Sequence, residues 1–362
     1  MTVSPSPTRT VKPSGRPIDT KLTCSAPPVT GHPLLLLQPG SISPELAVLD
    51  VSDPLRPRQL CKLSPANGGR FVSATKVAFW AGQHIGVADL TSDVVAGTAE
   101  LPELSGAVFS HDGTALAYRV GNETTGTTTH INDAGTDRTL FTEAPIGGHG
   151  GPPYGPLTQL EFSADGRYLL EFSVFRPTSG PANFLVYGKD GSLAFQSTTA
   201  EFGAWAPSAS KLYFLAPSER GRIDGDIHSW DPSGGEVTVA TGVTSYFWPE
   251  VAPDGRMVAF DSYDRTVSGG AMGGLPHLWR LDLSTGKMSQ LSTAISERTV
   301  FVSAAVVWSD EEQRCECGPG GSSTSTGKVL SHDLITGKDT VVDLTPSAQG
   351  SPINNVRDVW IY

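Results

Sequence analysis

Basic surplus, long apolar runs and cysteine are all scarce in this chain of 362 residues, and each scarcity excludes something. Lys plus Arg is 26 against 37 for Asp plus Glu, a net charge of −11. Without a basic surplus there is little to displace counterions from a phosphate backbone, which argues against nucleic acid as the main partner. The longest aliphatic run is Leu34 to Leu37, far short of the roughly 18 residues of a membrane-spanning helix. Charged residues are only 17%, while glycines number 40 and prolines 28. A turn-rich, charge-poor chain of this kind reads as all-β. Three reaction motifs are missing as well: the Gly-x-Ser-x-Gly nucleophile elbow, the Walker phosphate loop and the zinc-binding His-Glu-x-x-His.

The four cysteines are Cys24, Cys61, Cys315 and Cys317. An even count permits disulfides without demanding them. Cys315 and Cys317 lie two apart on an expected strand, roughly 6.5–7 Å between Cα atoms, near the upper limit for a bridge. They read as free thiols, with a vicinal redox pair as the alternative. No other Cys or His stands near them to complete a metal site. Residues 1–30 are rich in Pro, Ser and Thr and read as a disordered leader or linker. Met1 to Thr23 holds no apolar core of a secretory signal. Low charge, few lysines and abundant Ser, Thr and Gly nevertheless suit an extracytoplasmic protein.

What is abundant is repetition. An apolar strand, an Asp and a Ser/Thr/Gly turn recur at Asp50, Asp89, Asp133, Asp190, Asp231, Asp282 and Asp333, spaced by 39, 44, 57, 41, 51 and 51 residues. A second signature precedes the first: Phe109-Ser110-His111-Asp112-Gly113, Phe162-Ser163-Ala164-Asp165-Gly166 and Val251-Ala252-Pro253-Asp254-Gly255. Weaker copies are Phe71-Val72-Ser73-Ala74-Thr75, Trp205-Ala206-Pro207-Ser208 and Trp308-Ser309-Asp310-Glu311. Asp-Gly supplies the turn of a hairpin, and its flanks alternate apolar and polar. Each unit therefore holds four antiparallel strands, a to d, with the Asp-Gly turn between a and b and the Asp-Ser/Thr-Gly turn between c and d. Four-stranded units of this length cannot bury both faces alone and stack around an axis, which predicts a β-propeller.

Seven units over residues 31–362 give about 47 residues each, the period of such blades. Residues 34–63 supply strands b, c and d of the first blade but lack strand a. The terminal segment 356–362 is expected to complete that blade and close the ring, which removes exposed sheet edges. A six-bladed ring with residues 31–63 as an added strand pair is the alternative.

These motifs resemble the TolB-like propeller repeats, relatives of WD repeats that also form the N-terminal domains of prolyl oligopeptidase-type enzymes. The likeness rests on Phe-Ser-x-Asp-Gly at 109–113 and 162–166, Ala-Pro-Asp-Gly at 252–255 and Leu-Asp-Leu-Ser-Thr-Gly-Lys at 281–287. It spans residues 71–344. The resemblance implies a propeller fold and is nearly silent on function, because the family hosts binding, scaffolding and regulatory roles.

In an up-and-down blade the b–c and d–a connections share one face. Every long connection here is of that kind: 120–129, 143–157, 174–183, 217–226, 263–276 and 316–327. Loops beyond minimal length on a rigid scaffold are where binding residues gather. The candidate ligand-binding residues on that face are Arg176, Arg222, His228, Asp264, Arg265 and His277. The expected function is a monomeric, non-enzymatic scaffold that binds a protein or peptide, with no cofactor or metal and no catalytic residue assigned. The alternative is a propeller lyase or lactonase with an axial site, for which His84, His130, His228 and His277 would be candidate metal ligands. The repeated Asp residues read as turn-formers whose side chains accept backbone N–H groups.

Overall fold

The computed structural model describes residues 19–39, 44–122, 126–143, 158–173, 184–217, 224–244, 249–263, 275–315, 322–344 and 356–361. Among these, the chain is β-strand joined by turns. The strands form antiparallel ladders in six hydrogen-bonded sheets. One of the six has seven strands because a single strand, Lys287–Ser303, is shared. Its first half pairs with Pro276–Asp282 as strand d of one blade, and its second half pairs with Val306–Cys315 as strand a of the next. Divided there, the ladders make seven blades.

The first blade is built from both ends of the chain. Leu34–Leu37 pairs with Leu46–Asp50 on one side and with the C-terminal strand Val356–Trp360 on the other. The innermost strands then follow one another around the axis and return to the start. In order they are Val356–Trp360, Gly68–Ser73, Leu104–Phe109, Thr158–Phe162, Glu201–Trp205, Glu250–Val251 and the second half of Lys287–Ser303.

The buried side chains confirm the radial stacking, because the core is not one mass but a slab between each pair of blades. Leu34 and Leu36 pack with Phe71, Val77 and Phe79 of the second blade. Leu35 and Leu37 point the other way and pack with Val300, Val302 and Trp308 of the seventh. All four leucines are essentially inaccessible. An uninterrupted aliphatic run is what a strand buried on both faces requires, and each leucine stabilises by about 1.5–3 kcal/mol. Equivalent slabs join second to third, third to fourth, fourth to fifth, fifth to sixth and sixth to seventh blades.

The hairpin turns do what their sequences demand. Gly113, Gly166 and Gly255 have φ of 68°, 67° and 69°, a region that favours glycine. In each, the preceding Asp accepts the N–H two residues on: Thr114, Arg167 and Arg256. The c–d aspartates behave alike, Asp50 toward Ser52, Asp89 toward Thr91, Asp231 toward Ser233 and Asp282 toward Ser284. In several blades the two turns are also tied together, as by Leu90 N–H to Thr75 O and Leu283 N–H to Arg256 O. The a–b and c–d turns therefore lie on one face, and the b–c and d–a strand ends on the other.

Two expectations need correction. Residues 19–30 are not leader: Lys21–Cys24 is a fifth, outermost strand of the first blade. Cys24 sits directly opposite Cys61, and the two form a disulfide. Closing a 37-residue separation contributes up to about 4 kcal/mol in a chain-entropy account. This cross-link, invisible in the composition, holds the polar segment on the sheet edge. The rest of the leader, residues 1–18, lies outside the described residues. The second correction is in the seventh blade. Trp308-Ser309-Asp310 is not a turn but the middle of strand Val306–Cys315. The turn follows Ser303, so the true counterpart of Phe71-Val72-Ser73-Ala74 is Phe301-Val302-Ser303-Ala304.

Candidate functional site

The ladder registers assign one equivalent position to every innermost strand. It is the residue that pairs with strand b two residues in from the c-strand turn position: Arg70 with Ala78, Glu161 with Leu170, Glu250 with Ala259 and Asp358 with Leu36. In the remaining three blades the same position holds Val108, Ala204 and Val300. One layer of the ring thus carries three carboxylates, one guanidinium and three apolar side chains. Glu161 in the fourth blade feels both Arg70 of the second and Asp358 of the first, and Glu250 of the sixth feels Glu161. The register places all four charged residues on the innermost strands of their blades, around the axis.

Local contacts fix the layer. Arg70 is almost fully buried; its Nη1 donates to Phe109 O at 3.4 Å, and its Nη2 donates to His111 Nε2. Its Nε stands 3.9 Å from Asp358 Oδ1, an ion-pair separation too long for a hydrogen bond. Asp358 Oδ2 accepts the Phe71 N–H at 2.7 Å. Gln159 Nε2 donates to Glu161 Oε2 at 3.0 Å. Burial pushes the Glu161 carboxyl above its ordinary range. Burial, with Glu161 beside it, pushes Glu250 up to about 8, and burial, opposed by Arg70, leaves Asp358 at about 6. His111 is driven down to about 3 by burial and by Arg70, so it is neutral and able to accept from the guanidinium. Among the described residues no group of three His, Cys, Asp or Glu side chains is placed to hold a metal ion.

Three other polar groupings are inter-strand or inter-blade ties. Arg119 of the third blade and Glu171 of the fourth are both buried and meet at 2.9 Å, with Thr129 donating to the same carboxylate oxygen. Between the sixth and seventh blades the Tyr263 hydroxyl donates to Glu297 at 3.1 Å, and Arg298 lies 3.2 Å from Glu297. The third has the outline of a catalytic relay. Ser309 Oγ is 2.6 Å from His332 Nε2, and His332 Nδ1 is 2.7 Å from Asp339 Oδ1. Ser309 is entirely inaccessible and His332 nearly so, and a nucleophile that no substrate can touch performs no chemistry. The trio cross-links strands b, c and d of one blade.

Of the six sequence-derived binding residues, Arg176, Arg222, Asp264 and Arg265 lie outside the described residues. His228 is on strand c of the fifth blade, with Nδ1 2.6 Å from Glu236 Oε1 and Nε2 3.2 Å from Thr238 Oγ1. His277 is the second residue of strand c of the sixth blade, with Nδ1 2.9 Å from Ala294 O. Each histidine is engaged within its own blade. His130 is likewise beside an acid of its neighbouring strand, 3.3 Å from Asp137, and stacks on Tyr118. The axial layer was missed by sequence reasoning, although Arg70, Glu161 and Glu250 occupy one column of the repeat, immediately before Phe71, Phe162 and Val251.

No protein-family model matches the chain, and no curated protein matches it. Solved structures do. The tricorn protease superposes with a TM-score of 0.53 at 12% identity, over 91% of this chain and 35% of that one. An oligogalacturonate lyase in complex with manganese superposes with a TM-score of 0.50 at 12% identity, over 93% of this chain and 96% of that one. TolB from Acinetobacter baumannii matches with a TM-score of 0.43 at 15% identity, over 72% of this chain and 63% of that one. This chain thus spans about a third of tricorn and less than two thirds of TolB. At such identities the likeness establishes a fold alone, and the fold is a β-propeller.

Proposed function

We propose that this chain is a non-enzymatic propeller that binds a protein or peptide through the face from which its long connections leave. The observation that carries this reading is the asymmetry of the two faces. On one, short turns are closed by their own aspartates, leaving little free hydrogen-bonding capacity. On the other, every b–c and d–a connection of more than hairpin length emerges from a rigid strand end. Arg176, Arg222, Asp264 and Arg265 belong to those connections, with His228 and His277 on the strands that follow two of them; together they supply cationic and mixed polar contacts for a peptide. The Cys24–Cys61 bridge suits an oxidising, extracytoplasmic compartment.

Affinity capture with the purified chain tests the reading. Shortening connection 263–276 is expected to abolish capture of a partner that the intact chain retains, while altering the opposite turn at 283–286 leaves capture intact. Undiminished capture after each long connection has been shortened in turn contradicts it. A propeller lyase is the second reading, supported by the end-to-end match to the oligogalacturonate lyase. Metal content of the purified protein, compared with that of His228→Ala and His277→Ala variants, separates the two.

A further inference from the structure

Among the described residues, the first blade is the one whose outer edge is covered by a further strand. In the second, fourth, fifth and seventh blades the outermost strand leaves a large apolar side chain about half exposed: Val94, Leu193, Val237 and Val341. The corresponding strand of the first blade, Arg58–Ser64, exposes none, and Lys21–Cys24 lies along it. Leu60, Cys61 and Leu63 are buried, and Leu22, Cys24 and Ala26 of the cover pack against the same cluster. The cover alternates, so that its apolar side meets the blade while Lys21, Thr23 and Ser25 are exposed. Beyond its ladder it is held by Thr20 Oγ1, which donates to Pro65 O at 2.7 Å, and by the Ser25 N–H, which donates to Leu60 O at 2.8 Å.

This cover is separable from the ring. The ring closes through Leu34–Leu37 and Val356–Trp360, on the inner side of the same sheet, so the cover can leave without opening it. The connection back to Leu34 holds Pro27, Pro28 and Pro33, which have no N–H to give a ladder, and Gly31 at φ 85°. Residues 25–33 extend to about 30 Å, enough to carry the cover to an adjacent molecule. A strand this short, with half-buried apolar side chains, is marginal on its own; the Cys24–Cys61 bridge is what fixes it. Once bared, the N–H and C=O groups along Arg58–Ser64 are a template for another strand, and every copy of the chain carries the segment that fits.

We propose that Lys21–Cys24 is an exchangeable edge strand, and that the edge of Arg58–Ser64 docks the same strand of a second copy once the Cys24–Cys61 bridge is reduced. Cys24 is half-buried and Cys61 buried, so a dithiol attacks at the Cys24 sulfur. The S–S bond breaks and Cys61 leaves as a thiolate. The second thiol of the reductant then displaces Cys24, and the reductant is oxidised to its own disulfide. The freed strand returns to its own edge or pairs with a neighbour's, and the second outcome gains once protein concentration approaches that set by the tether, on the order of millimolar. Reoxidation by a small disulfide takes two electrons and two protons from whichever Cys24 and Cys61 lie together and bridges them. The exchange is reciprocal, each copy covering the other's edge.

Two measurements test this in a full-length Cys315→Ser, Cys317→Ser chain, which keeps Cys24 and Cys61 alone. The first is hydrogen exchange with and without dithiothreitol. On reduction the 21–24 amides are expected to lose about thirtyfold or more of their protection, while Leu34–Leu37 and Phe184–Gly188 keep theirs. In the second, equal parts of 15N-labelled and unlabelled chain are reduced together and reoxidised with glutathione disulfide, at about 1 mM and at about 10 µM protein. Peptides bridging Cys24 of one label to Cys61 of the other are expected to be about tenfold or more commoner at the higher concentration. Mixed bridges equally rare at both concentrations overturn the proposal, as do Cys24–Cys24 bridges in their place. Protection of 21–24 that survives reduction overturns it too. So does loss of protection at Leu34–Leu37, since the cover would then be part of what holds the ring rather than a separable strand.

Discussion

The turn face and the axis place the same functional group in opposite conditions. On the turn face, Asp282 is half-exposed and accepts the N–H groups of Ser284 and Thr285 together with both their hydroxyls. Those donors hold its carboxyl down at about 2. Asp165 is held equally low by Ser210, Ser163 and Arg167, although partial burial opposes them. At the axis, burial and the neighbouring Glu161 push Glu250 up to about 8. The turn aspartates repeat because a hairpin needs an acceptor at that position in every blade. The axial carboxylates do not repeat: three blades place Val108, Ala204 and Val300 where four place ions. A feature demanded by local geometry recurs with the period of the fold, whereas a feature set on individual blades marks something particular to this chain.

Four perturbations probe that contrast. Deleting residues 356–362 removes the innermost strand of the first blade and should cost on the order of 5 kcal/mol, read as loss of a cooperative melt. A chain that melts unchanged would mean the ring is not closed there. Arg119→Ala removes the guanidinium that meets buried Glu171 at 2.9 Å and is expected to cost about 3–5 kcal/mol by denaturant unfolding. Replacing both partners with apolar residues of similar volume should cost far less. Arg70→Met removes the guanidinium of that layer, and its penalty should be larger at pH 8 than at pH 5, because Asp358 is then ionised; equal penalties would disconnect Arg70 from it. Asp282→Ala should have the smallest effect. Its lowered carboxyl stabilises above the ordinary range near 4 and loses that effect as pH falls through about 2. Variant and wild-type midpoints should therefore converge between pH 4 and 2.

Much of the disc is legible in the amino-acid sequence alone. The Asp-Gly and Asp-Ser/Thr-Gly turns are local, and a local steric demand leaves a readable mark at every copy. The Leu34–Leu37 run also reads as a strand, and its alternation between two inter-blade slabs explains why four leucines stand in succession. Legibility stops where the mark is absent or long-range. The seventh-blade turn uses Ala304-Ala305 in place of Asp-Gly, so Trp308-Ser309-Asp310 imitates the turn signature better than the turn itself does. The strand Lys21–Cys24 alternates polar and apolar residues over only four positions and depends on a partner 37 residues away. The axial layer needs register: Asp358 joins Arg70, Glu161 and Glu250 only once its pairing with Leu36 is known. Four of the six candidate binding residues, Arg176, Arg222, Asp264 and Arg265, lie outside the described residues.

Site-resolved carboxyl titration by 13C NMR bears most directly on the claim that position in the disc sets the chemistry of these groups. Glu250 is predicted to titrate near 8 and Asp358 near 6, while Asp282 and Asp165 titrate near 2 in the same sample. If all four titrate together near 4, the axial layer is open to water and the contrast on which the account rests does not exist.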